Sequence, residues 1–158
     1  MIARASVIAA LYVALGFTVQ FMAYGPVQFR LPEALTLLPI LFPEAILGVV
    51  VGTLIFNLFS PYWLDAVFGT SVTLIAAILT RLLRKRPPLA AAPPIVLNAF
   101  LIPVMFILLE LPYAYWYAVG FVALGQAVII LGIGLPLIYA LKRYPQIYGQ
   151  PLRKRFEE

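Results

Sequence analysis

The chain has 158 residues, of which 64% are hydrophobic and only 11% charged. Soluble domains carry about a quarter charged residues, so this composition excludes one and points to an integral membrane protein. With no cysteine and no histidine, disulfides, thiol or imidazole catalysis and most transition-metal sites are excluded too, and neither metal nor cofactor is expected.

Apolar runs approach the ~20 residues that a helix needs to cross a bilayer. They lack the period-two alternation of barrel strands. The first predicted helix covers roughly residues 5–24 and ends at Gly25-Pro26. Ser6, Ala10 and Ala14 recur on it every four residues, a spacing that lets another helix approach closely in lipid. Packing inside the chain's own bundle is the ordinary use of such a face.

A second helix is predicted over 32–42 and a third over 44–60, with a break near Pro43. Pro39 and Pro43 interrupt the run, because proline lacks the N–H that continues a helix. The second stretch is short: as an α-helix at ~1.5 Å per residue it covers about half a hydrocarbon core. Gly48 and Gly52 share one face of the third helix. Further helices are predicted over 64–84, 93–110 and 115–141, followed by a basic tail over 142–158. The whole chain, 1–158, reads as one integral membrane domain.

Charge orients these helices. Ten of the 11 Lys and Arg fall at Arg4, in the loop from Arg81 to Arg86, or from Lys142 onward. The positive-inside rule places that loop and the tail in the cytoplasm. Six helices put Arg4 there as well, with both termini cytoplasmic; five would leave Arg4 outside. The net charge of +5 is thereby explained by anchoring at the lipid bilayer, and no nucleic-acid partner is expected.

Arg30 is the eleventh base, and it stands apart on the outer side. It lies in Gly25-Pro26-Val27-Gln28-Phe29-Arg30-Leu31-Pro32-Glu33. Arg30 and Glu33 can pair with each other, or they can meet a solute. Glu33 and Asp65 lie at helix N-termini, where an anion is stabilised as a cap or by the helix dipole. Glu44 follows the break at Pro43, on the cytoplasmic side, and ranks below the others as a ligand contact. Glu110 ends the fifth helix, where the dipole disfavours it, and is therefore the most informative acid. Asn57, Asn98 and Gln126 lie in apolar helices and need partners, in the bundle or in a ligand. Trp116 and neighbouring aromatics gather near the same end, as an interfacial belt or as stacking surfaces. The chain holds no phosphate-binding loop, no Ser/His/Asp set and no HExxH motif, so no catalytic residue is expected.

The Gly25–Thr36 run, with Pro43-Glu44-Ala45-Ile46-x-Gly48 and Asp65-x-Val67-Phe68-Gly69, resembles the QueT family. These are substrate-binding (S) subunits of energy-coupling factor (ECF) transporters assigned to queuosine precursors. Pro32 stands where that family often has Ser. The resemblance implies a six-helix, S-component-like bundle that binds solute on its outer face. It also implies a separate energy-coupling transmembrane subunit and two ATPase subunits. Ser6, Ala10 and Ala14 would then form the docking face. A 7-deazaguanine such as preQ1 or preQ0 presents N1–H and a 2-amino group side by side, which one carboxylate can accept together. Gln28, Arg30, Glu33, Asn57, Asp65, Asn98, Glu110 and Trp116 supply the chemistry to hold it. The same groups would serve another flat vitamin. A structural membrane subunit without a solute, or a solitary secondary transporter, are the other classes considered.

Overall fold

The computed structural model describes residues 2–24 and 28–144. Beyond Tyr144, the basic tail lies outside the described residues, as do Gly25–Val27 of the first motif. The protein is an all-α membrane protein, with no strand among the described residues. Three helices are long and apolar enough to cross a bilayer: Trp63–Leu82, Pro87–Leu108 and Tyr115–Lys142. Three shorter apolar helices precede them: Ile2–Thr18, Leu31–Ile40 and Ala45–Asn57. They are called the first to sixth helices here, in chain order.

The second helix is a 3₁₀ helix over all ten residues from Leu31 to Ile40. Runs beyond three or four residues are uncommon in this geometry. Two features of the sequence account for it: Pro32 in the first turn and Pro39 inside. A 3₁₀ helix rises ~2.0 Å per residue, so ten residues reach ~20 Å rather than ~15 Å. That recovers part of the length the sequence lacks. Burial supplies the rest of the explanation. Every residue from Pro32 to Ile40 is buried, and the helix is packed against the first, third, fourth and sixth. A helix apolar on all sides belongs inside a bundle, and this one does not have to face lipid. Its last carbonyls are also satisfied: the Arg81 guanidinium donates to the oxygens of Pro39 at 3.0 Å and Ile40 at 3.1 Å.

The first and third helices pack most extensively against each other. A methyl group added at Gly48 would meet the Ala5 carbonyl and Ile8, and one at Gly52 would meet Tyr12 and the Ala9 carbonyl. The two glycines thus let the backbones approach, as small residues do in lipid. The face used on the first helix is Ala5, Ile8, Ala9 and Tyr12. Ser6, Ala10 and Ala14 point away from the bundle and are exposed.

The sixth helix widens into a π turn at Ile130–Gly134. Pro136 has no N–H to give to the carbonyl of Gly132, one reason for a π turn just before it. At Gly134 the central helix comes so close that an added Cβ would lie 3.0 Å from the Ala34 carbonyl.

The six helices alternate in direction and sort the charges between two ends. At one end Arg4 pairs with Glu44 at 3.2 Å, near Arg81 and the ends of the second and sixth helices. Arg30, Asn57, Asp65 and Glu110 belong to the other.

Candidate substrate site

Arg30 is 3% exposed, just before the second helix. A buried guanidinium needs a countercharge and hydrogen-bond acceptors, and removing one partner of a buried pair costs ~3–5 kcal/mol. Its Nη2 donates to Asn57 Oδ1 and lies 3.4 Å from Asp65 Oδ2. The last residue of the third helix and the 3₁₀ turn Trp63–Ala66 therefore converge on one cation. Asn57 Nδ2 in turn donates to the Asp65 carbonyl at 3.0 Å, fixing that turn on the helix end. The Phe56 ring lies 5.5 Å from the guanidinium carbon and stacks on Tyr24 with centroids 5.6 Å apart.

Gly69 makes this packing fit. A Cβ there would run into Asp65 Oδ1 and would stand 3.0 Å from Asn57 Nδ2. This is a physical reason for glycine at the end of the Asp65–Gly69 motif.

Glu33 turns toward the first helix instead of pairing tightly with Arg30. Its Oε1 accepts a hydrogen bond from the Tyr12 hydroxyl at 2.9 Å. Neither Glu33 nor Asp65 caps its helix through the side chain; both sit in a first turn, where the dipole favours an anion. Arg30 is within electrostatic reach of Asp65, Tyr12, Glu33 and Tyr24.

Three polar atoms of this cluster are buried without a hydrogen-bond partner among the described residues, Arg30 Nε, Glu33 Oε2 and Asp65 Oδ1, as is Gln28 Oε1, two residues before Arg30. Most buried polar groups are paired, and each exception asks for an explanation. The three at the cluster offer two acceptors and one strong donor to a ligand that brings the complementary groups. No group of three or more metal-ligating side chains occurs among the described residues.

The structure brings Arg30, Asn57, Asp65 and Glu33 together, with Gln28 buried two residues from Arg30. Three other predicted residues stand elsewhere. Asn98 is buried but gives its amide to the Pro94 carbonyl, one turn back, at 2.8 Å. Trp116 is 72% exposed, edge-on to Tyr115. Glu110 is exposed, with φ of 54°. Its amide donates to Ile107 and that of Leu111 to Phe106, the paired bonds that close a helix through a left-handed residue. Glycine usually takes that position. Gln28 and Glu110 are the two non-glycine residues with positive φ among those described, and both are polar residues singled out in the sequence.

Tyr12, Thr53 and Phe56 belong to the cluster but were not legible as site residues. Tyr12 gave one signal: a hydroxyl within the apolar stretch 7–15 of the first helix, one turn from Ile8 and away from Ser6 and Ala10.

The QueT transporter family model matches residues 2–143. The chain belongs to the QueT transporter family. Over 83 residues it is 36% identical to the queuosine precursor transporter QueT of Lactococcus lactis subsp. cremoris (strain MG1363). That match covers 51% of this chain and 49% of the relative, so it spans about half of each. No solved structure matches the chain. The polar cluster around Arg30 is the candidate place for a small-molecule ligand.

Proposed function

We propose that the chain captures a queuosine precursor, a 7-deazaguanine such as preQ1 or preQ0, as the S subunit of an ECF importer. The observation that carries this reading is the set of unspent hydrogen-bonding atoms around Arg30. A 7-deazaguanine brings several N–H donors and one exocyclic oxygen. Asp65 Oδ1, Glu33 Oε2 and Gln28 Oε1 suit the donors, and Arg30 Nε suits the oxygen. Charge-assisted bonds of this kind are the strong and directional ones. The name of the Lactococcus relative supports the substrate class. Gln28, Arg30, Glu33, Asn57 and Asp65 are the proposed contacts. Glu110 and Trp116 stand on the approach at the same end, and Asn98 serves the fifth helix. The cluster is shielded from water, so binding requires it to part.

In this reading Ser6, Ala10 and Ala14 dock the energy-coupling subunit, and ATP is hydrolysed in two separate ATPase subunits. An apolar groove of about 540 Å³ runs along that face, between Ser6, Ala10 and Ala14 on one side and Val51 and Ile55 on the other. The protein resides in the cell membrane with both termini cytoplasmic.

Calorimetry on the purified protein in lipid nanodiscs tests the substrate. Binding of 7-deazaguanines in preference to riboflavin and thiamine is expected. Tight binding of another vitamin, with no heat from any 7-deazaguanine, would overturn the assignment.

A further inference from the structure

The fourth and fifth helices meet at a basic corner, at the end of the bundle away from Arg30. The fourth helix ends at Leu82, and Pro87-Pro88 start the fifth. A proline keeps the residue before it out of the helical region, and Arg86 lies outside it, with φ of −127° and ψ of 85°. The turn between the helices is closed by the Arg86 amide, which donates to the Leu83 carbonyl at 3.0 Å. Buried Thr80 ties the corner together by donating its hydroxyl to the Ala90 carbonyl, also at 3.0 Å.

A groove of about 280 Å³ lies at this corner, lined by Leu82, Leu83, Lys85, Arg86 and Leu89. Its walls are leucines, and both of its charges are positive. Leu82 is 68% exposed and Leu89 47%. Lys85 and Arg86 are exposed too, and neither forms an ion pair among the described residues. Arg81, one turn earlier, is turned to the second helix and the carbonyls of Pro39 and Ile40. Arg84, in the same turn as Lys85, has its Nε buried without a partner among the described residues. Acids are remote from this corner. The chain holds none between Asp65 and Glu110, and both of those belong to the opposite end. Glu44, at the same end, is paired with Arg4.

The apolar wall continues along the fourth helix. Leu74, Ile75, Ile78 and Leu82 are exposed at the spacing of one helix face, a row that extends about 12 Å from the groove. In a membrane-spanning helix such a face meets lipid chains, which are as apolar as leucine.

We infer that this groove seats one anionic phospholipid. Its phosphate meets Lys85 and Arg86, and an acyl chain lies over Leu82 and Leu89 and along the exposed row of the fourth helix. Basic pockets between membrane helices take lipid headgroups in this way. A free phosphate would meet the same two cations but leave the leucine walls without a partner. A zwitterionic headgroup carries its own ammonium, which competes with the two side chains for the phosphate. The inference is independent of what binds at the Arg30 cluster.

Native mass spectrometry of the purified full chain tests it. Phosphatidylglycerol or phosphatidylcholine is titrated into the detergent micelles, and the dissociation constant of the first retained lipid is read. A preference of about tenfold or more for phosphatidylglycerol is expected. A cation near the membrane surface is worth about fivefold. Arg86→Gln is therefore expected to weaken phosphatidylglycerol about fivefold, and Lys85→Gln with Arg86→Gln about thirtyfold, bringing the two lipids level. Leu89→Trp fills the groove and keeps both charges, and it is expected to weaken phosphatidylglycerol as well. Arg143→Gln removes one charge at the end of the sixth helix and is expected to change nothing.

Equal wild-type affinity for the two lipids overturns the inference. So does unchanged binding of phosphatidylglycerol in the double variant. If Arg143→Gln weakens the lipid as much as Arg86→Gln, the attraction is diffuse and no seat exists. Unchanged binding in Leu89→Trp leaves a site for the phosphate alone and overturns the groove. Thermal unfolding of each variant checks folding. If Leu89→Trp does not fold, Leu82→Ala replaces it, with weaker binding expected from the lost chain contact and unchanged binding again overturning the groove.

Discussion

Gly69 shows how one residue can be set by its neighbours against its own propensity. It lies in the first turn of the α-helix Phe68–Leu82, where alanine would ordinarily stabilise by about 1 kcal/mol. Here the added methyl collides with Asp65 and crowds Asn57. Overpacking costs typically ~1–3 kcal/mol, so the clash outweighs the propensity gain. Gly69→Ala is expected to lower the unfolding midpoint and to weaken ligand binding, both measurable on purified protein. A rise in stability with unchanged affinity would show that Asp65 can move aside freely. Arg30 illustrates what residue-level reading can and cannot reach. Its isolation from every other basic cluster is visible in the chain, and so is the expense of burying it. Its partners are not visible, because Asn57 and Asp65 are 27 and 35 positions away.

At the scale of elements, the first helix carries small residues on two faces, and the bundle uses one of them. Ala5 and Ala9 meet Gly48 and Gly52, while Ser6, Ala10 and Ala14 stay open. Substitutions on the two faces should therefore separate cleanly. Gly52→Ala forces a methyl to within 2.6 Å of Tyr12 Cβ and is expected to destabilise the chain by ~1–3 kcal/mol. Ala10→Trp, on the open face, is expected to change stability by less than ~0.5 kcal/mol and to leave ligand binding intact. If the coupling subunit docks there, the same change abolishes uptake in cells; normal uptake with Ala10→Trp would place docking elsewhere. The second helix follows the same principle of context. Its shortness reads as a defect if it has to cross lipid alone. Enclosed by the other helices and stretched as a 3₁₀ helix, it serves as the bundle's centre.

For the molecule as a whole, the charge pattern makes a topological claim that the native sequence is well suited to test. The chain has no cysteine, so single cysteines introduced at Pro112 and at Lys85 report without background. Both positions are exposed, in the loop after the fifth helix and in the basic loop. A membrane-impermeant thiol reagent applied to intact cells is expected to label Pro112→Cys and to reach Lys85→Cys only after permeabilisation. The reverse pattern would invert the bundle and remove the outer-face site. The Arg4–Glu44 pair and the contact of Arg81 with the end of the second helix belong to the Lys85 end, and the polar cluster to the Pro112 end.

Hydropathy, proline spacing and the placement of basic residues are local properties, and they were enough to determine a helical membrane protein and the one base that stands apart. The resemblance carried by its motifs added the family. Which acid neutralises that base, which small-residue face is spent inside the bundle, and which polar residues remain outside the cluster were decided only by tertiary structure. The physical reason is that burial and pairing depend on distances between distant segments. Glu33 stands three residues from Arg30, within reach of a simple ion pair, yet it bonds to Tyr12 on another helix and leaves Arg30 to Asn57 and Asp65.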